Sequence, residues 1–212
     1  MPLQNRVLPT GEIVADPARG LLMGNRGCLH RPDRTLGVAR WRSPMWICCV
    51  LNWKGVQRDV MPPGRWTALF FLDEATALAA GHRPCGYCRR QDFLAFAEHW
   101  RSARGLAERP KAPEIDRALH AERVEPRTRR QCTWESAAEG LPDGAMIRHD
   151  GEIGLVWEGR LWPWGQGGYG SPKSRPAGTV EVLTPPSTAA VLADGYRPMV
   201  HPSAEVVPCE LA

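Results

Sequence analysis

The sequence predicts an α+β fold, in which a small antiparallel sheet and two to three helices are followed by a C-terminal β-rich subdomain. Three observations carry this. Residues 1–68 alternate short apolar runs with glycine turns, residues 73–124 change to the helical period, and residues from 141 onward return to short apolar segments between Gly-bearing turns. In the first stretch Gly11, Gly20, Gly24 and Gly27 act as punctuation. The runs from Trp46 to Leu51 and from Trp66 to Phe71 have the β-branched and aromatic content of strands.

Asp73 is placed to N-cap a short helix that Gly81 ends. A second helix runs from about Arg89 to Ser102, because Phe93, Phe96, Ala97 and Trp100 fall at i, i+3, i+4 and i+7. Pro110 and Pro113 break that pattern. A third helix then spans Glu114 to Val124, with Ile115 and Leu119, joined by Ala118 and Val124, on its buried side. Further on, Asp150-Gly151 forms a two-residue hairpin turn between Met146-Ile147 and Leu155-Val156-Trp157. The chain thus divides into residues 1–108, a helical and Arg-rich connector 109–140, and a β-rich part 141–212 that contains a Trp/Gly-rich loop.

The most specific chemistry lies in Cys85-Gly86-Tyr87-Cys88. Two thiolates separated by two residues in a tight turn point at one centre, about 2.3 Å from each sulfur, which is half of a tetrahedral zinc site. The other half is available upstream in Cys28, in His30 two residues on, and in the adjacent pair Cys48 and Cys49. Neighbouring side chains in an extended segment point to opposite faces, so Cys48 and Cys49 compete for one ligand position. The expected set is Cys28, one of Cys48 and Cys49, Cys85 and Cys88, with His30 as the alternative completing group. A redox pair is disfavoured because Arg83-Pro84 precedes and Arg89-Arg90 follows, where a thioredoxin-like motif has apolar flanks. Cys132 and Cys209 stand alone. Four thiolates leave no open position on the ion, so Zn2+ is expected to be structural.

The run from Leu69 to Arg90, with Phe70-Phe71, an Ala-rich helix ending at Gly81, and Arg83-Pro84-Cys85-x-x-Cys88, resembles the zinc-binding N-terminal domain of the Ada DNA-repair family. The resemblance covers about residues 69–90. It implies a zinc site and a DNA partner in repair or modification. The close upstream Cys-x-x-x-Cys of that family is absent, so methyl-acceptor chemistry is not implied.

Lysine and arginine number 27 against 23 acidic residues, a net charge of +4. The arginines gather in two places: Arg83, Arg89 and Arg90 around the cysteine turn, and Arg127, Arg129 and Arg130 after the third helix. Arginine suits bidentate phosphate contact, so the expected partner is nucleic acid, DNA ahead of RNA. Trp162, Trp164 and Tyr169 beside Gly165, Gly167 and Gly168 have the composition of a base-stacking platform. Asp116 and His120, four apart on one helix with Glu122 near, form a candidate acid–base group, which leaves a nucleic-acid-processing hydrolase as the alternative function. Phosphate-cradling loops, dinucleotide fingerprints, His-Glu-x-x-His and Gly-x-Ser-x-Gly are all missing, so those enzyme classes lack support. No run approaches the roughly 20 apolar residues of a membrane span, and no apolar leader follows Met1. A cytoplasmic protein is therefore expected, where thiols favour metal over disulfides.

Overall fold

The computed structural model describes residues 1–56 and 59–205. The N-terminal sheet has six strands in the order β2 (Ile13–Ala15), β1 (Gln4–Val7), β5 (Leu69–Phe71), β3 (Leu22–Asn25), β4 (Ile47–Val50) and β6 (Arg83–Pro84). It is mixed rather than antiparallel, because β1 pairs with β5 and β4 with β6 in parallel. Parallel neighbours need a long crossover, and here the chain between β4 and β6 carries β5 and the first helix across the sheet. Gly24 is not a turn residue but lies within β3. A Cβ on it would stand 2.1 Å from the carbonyl oxygen of Ile47, so glycine permits β3 and β4 to pair.

The second sheet is antiparallel, in the order β11 (Gly168–Tyr169), β10 (Arg160–Gly165), β9 (Glu152–Trp157), β8 (Met146–His149), β13 (Thr179–Val182) and β7 (Trp134–Ala137). A short β12 (Lys173–Ser174) also pairs with β10. The expected hairpin at Asp150-Gly151 joins β8 to β9, with φ of 50° and 79° at the two turn residues. Glu158-Gly159 repeats it between β9 and β10, at 50° and 72°. Positive φ at both positions is the turn whose twist matches that of paired strands.

Between the sheets lies α1 (Glu74–Ala79), six residues long and buried throughout. A helix this short is not stable alone and must be held by packing. Ala77 and Ala80 face the first sheet with Leu22, Leu69 and Phe71, while Ala75 and Ala79 face Met146, Leu155 and Trp162 of the second. Leu78 turns to a third cluster with Phe96, Trp100, Ile115, Leu119 and Val191. That cluster is built by α2 (Arg90–Ala103), α3 (Ala112–Arg123) and α4 (Pro186–Ala193). The apolar faces expected for α2 and α3 are the buried ones. α4 adds to the β-rich reading of residues 141–212 a helix not expected from the sequence. Ser187, Thr188, Ala189, Val191 and Leu192 are buried while Pro186, Ala190 and Ala193 face outward, and because the outward residues are small and apolar rather than charged, no amphipathic period marks it. Through α4 the C-terminal part packs back on α2 and α3, and the 109–140 connector is split, its α3 joining the helical layer and its β7 the edge of the second sheet.

Two carboxylates open α1. Asp73 caps it, accepting from the Thr76 N–H at 2.8 Å as expected, and also from the Tyr169 hydroxyl at 2.7 Å and the His201 N–H at 3.0 Å. Glu74 accepts from Arg89 Nη2 at 2.8 Å, the Tyr196 hydroxyl at 2.7 Å and the Met199 N–H at 2.9 Å. Removing one donor leaves a buried charge short of a partner. Tyr196→Phe is therefore expected to destabilise the fold by about 1–3 kcal/mol, measured by urea unfolding, with little change in secondary structure.

Candidate metal centre

Strand alternation decides which cysteine of the adjacent pair faces which way. On β4, Cys48 points into the core with Leu69 and Phe71, while Cys49 points to the opposite face of the sheet, with Met23 and Ala68. Parallel pairing sets β6 beside β4, and the Cys85 N–H bonds the Cys48 carbonyl at 2.9 Å. The turn from β6 into α2 then carries Cys85 and Cys88 onto the face that Cys49 occupies. The three sulfurs lie within 4.8 Å of one another. A tetrahedral zinc thiolate needs sulfurs about 3.8 Å apart, so the cluster closes on an ion with small movements of side chains. Thiolates are soft donors and suit zinc and other thiophilic cations.

The electrostatics favour a cation. The Cys49 thiol donates to Cys85, which pulls the Cys85 pKa down to about 5 against the opposing effect of burial, with help from the N–H groups of Cys88 and Tyr87. The Tyr87 N–H lies 3.4 Å from that sulfur. Cys49 is pushed up, first by giving its proton to this hydrogen bond and then by burial. Cys88 is pushed up mainly by burial, against the Val50 N–H that points to it. One negative charge is thus shared among three sulfurs near neutral pH.

The expected fourth ligand does not join them. Cys28 is exposed, with its sulfur 3.9 Å from the His30 carbonyl, and stands outside the cluster. His30 has both ring nitrogens engaged, Nδ1 with Thr67 Oγ1 at 2.7 Å and Nε2 with the Pro62 carbonyl at 3.2 Å. Cys48 is fully buried and accepts from Arg89 Nη1 at 3.3 Å. Cys209 lies outside the described residues.

The candidate catalytic group is dispersed. Asp116 faces inward and holds Arg83 through two bonds, Nε to Oδ1 at 2.9 Å and Nη2 to Oδ2 at 2.8 Å. A buried carboxylate takes a two-pronged guanidinium in preference to an imidazole one turn away. His120 instead meets Arg123 Nη2 at 3.2 Å and packs edge-on against Trp41 and Trp46. Burial, then Arg123, lowers its pKa. Glu122 accepts from the Ser187 N–H at 2.9 Å, from the Ser187 hydroxyl, and from Arg104 at 3.1 Å.

Two of the arginines assigned to phosphate are internal. Arg83 is spent on Asp116, and Arg89 on Glu74, Asp92 and Cys48. Arg90, Arg127, Arg129 and Arg130 are exposed. The aromatic platform is also corrected: Trp162 and Tyr169 are only 3% and 7% exposed, too little for a base to stack on. Trp162 Nε1 donates to the Trp157 carbonyl at 3.2 Å and Trp164 Nε1 to Thr76 Oγ1 at 3.0 Å, so these rings seat the second sheet on α1. What the sequence reading missed is the set of internal partners, Thr67 for His30 and Glu74 for Arg89, which no local motif marks. Comparison with family models, curated proteins and solved structures finds no match to the chain.

Cys49→Ala is expected to abolish stoichiometric metal uptake while Cys48→Ala retains it, checked by elemental analysis after dialysis. With Cys85 already ionised above about pH 5 and the other two thiols protonated, metal binding displaces about two protons. Affinity is then expected to rise with pH, by about a hundredfold per unit from pH 5.5 to 7.5, in competition with a chromophoric chelator.

Proposed function

We propose that the chain is a metalloprotein in which Cys49, Cys85 and Cys88 bind one zinc ion. The observation that carries this is the convergence of three thiols, one from β4 and two from the turn between β6 and α2. The soft donor set and the resemblance of residues 69–90 to Ada-like zinc modules support zinc over harder cations. The ion ties β4 to the start of α2, and its binding free energy becomes folding free energy. The purified protein is expected to carry about one zinc per chain, and Cys85→Ser to lose both the metal and several degrees of thermal stability. Protein that stays metal-free after supply of zinc under reducing conditions refutes the reading.

A second reading, contact with nucleic acid, is supported by one observation. Arg129 Nη1 bonds the Val38 carbonyl at 3.1 Å, which draws the loop bearing exposed Arg31, Arg34 and Arg42 toward exposed Arg127 and Arg130. Such a cluster of guanidinium groups suits a run of phosphates, DNA or RNA. Replacing Arg127, Arg129 and Arg130 together by alanine is expected to weaken binding and reduce the slope of log affinity against log salt by up to about three units. Absence of binding to single- or double-stranded nucleic acid at low salt removes this reading and leaves the metal proposal intact. Asp116 and Glu122 are turned to Arg83 and Ser187 rather than to His120, so the three do not form one acid–base group.

A further inference from the structure

We propose that the metal held by Cys49, Cys85 and Cys88 keeps its fourth coordination position for an exogenous ligand, and that this ligand is a small apolar thiol. The proposal rests on the metal reading above and adds what completes the site. Zinc takes four ligands, and a site supplying three from protein leaves one to a water or a substrate. Each in-chain candidate among the described residues is already committed. Cys48 faces the other side of β4 and accepts from Arg89, Cys28 lies outside the cluster, and both nitrogens of His30 are bonded. No other His, Cys, Asp or Glu among the described residues joins the three.

The surroundings select the class of ligand. Met23 and Ala68 pack with Cys49 and Cys85, and Val60 and Phe70 flank them, so the wall is apolar and a metal-bound hydroxide is poorly solvated there. A sulfur donor avoids that cost and matches the softness of the site. The register supplies room for its organic part. Phe70 on β5 pairs with Met23 on β3, and Met23 with Cys49 on β4, so the three form one row on one face of the sheet. A groove of about 420 Å³ opens beside this row, lined by Met23, Phe70, Ala68 and Val60, by exposed Leu51 and Val56, and on one side by the polar Asn52 and Asp59; Cys49 does not line it but adjoins it through its cross-strand neighbour Met23. Access is open, since Cys88 is only half-buried. Binding balances simply: the thiol loses its proton to solvent, a sulfur–metal bond forms, and a water leaves the ion. The N–H of Tyr87, 3.4 Å from Cys85 Sγ, offsets part of the added negative charge.

The test uses the full chain loaded with cobalt(II) in place of zinc and titrated with benzyl mercaptan, with 2-mercaptoethanol as the polar comparator. The expected result is a saturable rise of about one third in sulfur-to-metal charge-transfer absorption, as three thiolates become four. Benzyl mercaptan is expected to bind about tenfold more tightly than 2-mercaptoethanol, and Leu51→Glu with Val56→Glu to remove that preference without changing cobalt stoichiometry. A loaded protein whose spectrum ignores millimolar thiol overturns the open position. A four-thiolate spectrum before any addition, reduced by Cys28→Ser or Cys209→Ser, overturns it by identifying an in-chain ligand. Failure to take up cobalt at all refutes the metal reading itself, and is distinguished from the other outcomes by elemental analysis.

Discussion

The fold depends on keeping two carboxyl groups fully partnered at the start of a helix that touches no solvent. Asp73 and Glu74 are 0% and 1% exposed, and such groups are tolerable only when every lone pair that loses water finds a donor. The donors come from distant parts of the chain: Arg89 after the cysteine turn, Tyr169 on β11, and Tyr196, Met199 and His201 beyond α4. Hence α1 is the point at which the two sheets and the C-terminal segment are joined. Its alanines do the same work sterically, since larger side chains at 75, 77 or 79 would separate the layers.

The metal centre is one residue removed from this network. Arg89 follows Cys88 directly, and its guanidinium bonds Glu74 on one side and the Cys48 sulfur on the other. The Cys48 contact holds the strand position next to Cys49. Two members of the cysteine cluster and the clamp on α1 thus share one short segment, 85–89. A metal bound at this turn would act on the centre of the molecule, because Arg89, the residue after Cys88, reaches Glu74.

A second buried charge arrangement explains why His120 is turned toward Arg123 rather than Asp116. Trp46, 1% exposed, has the guanidinium groups of Arg26 and Arg123 at 4.0 and 3.9 Å from its ring centroid. Arg26 Nε donates to His82 Nε2 at 3.2 Å, and burial with the two arginines keeps His82 neutral. Burial, then Arg40, lowers the pKa of Arg26 itself to about 9. Cation–π attraction and carbonyl acceptors at Gly11, Gly81 and Pro44 offset the desolvation of these cations. His120 closes the outer edge of this stack against Trp41, as a packing residue.

Local signals were legible in the chain wherever backbone geometry alone sets the outcome. Asp73 as a cap, the left-handed Asp150-Gly151 turn, the apolar faces of α2 and α3 and the Cys85-x-x-Cys88 turn each depend on residues within a few positions of one another. Tertiary structure decided the rest, because partner choice among buried polar groups is a competition across the whole fold. Asp116 lay one helical turn from His120 yet went to Arg83, whose planar fork satisfies both oxygens at once. Arg83 and Arg89 looked like phosphate ligands and became internal counter-ions. Strand parity made it certain that only one of Cys48 and Cys49 faces the cysteine turn, but which one followed from the parallel pairing of β4 with β6. That pairing joins residues more than thirty positions apart, beyond the reach of any local pattern.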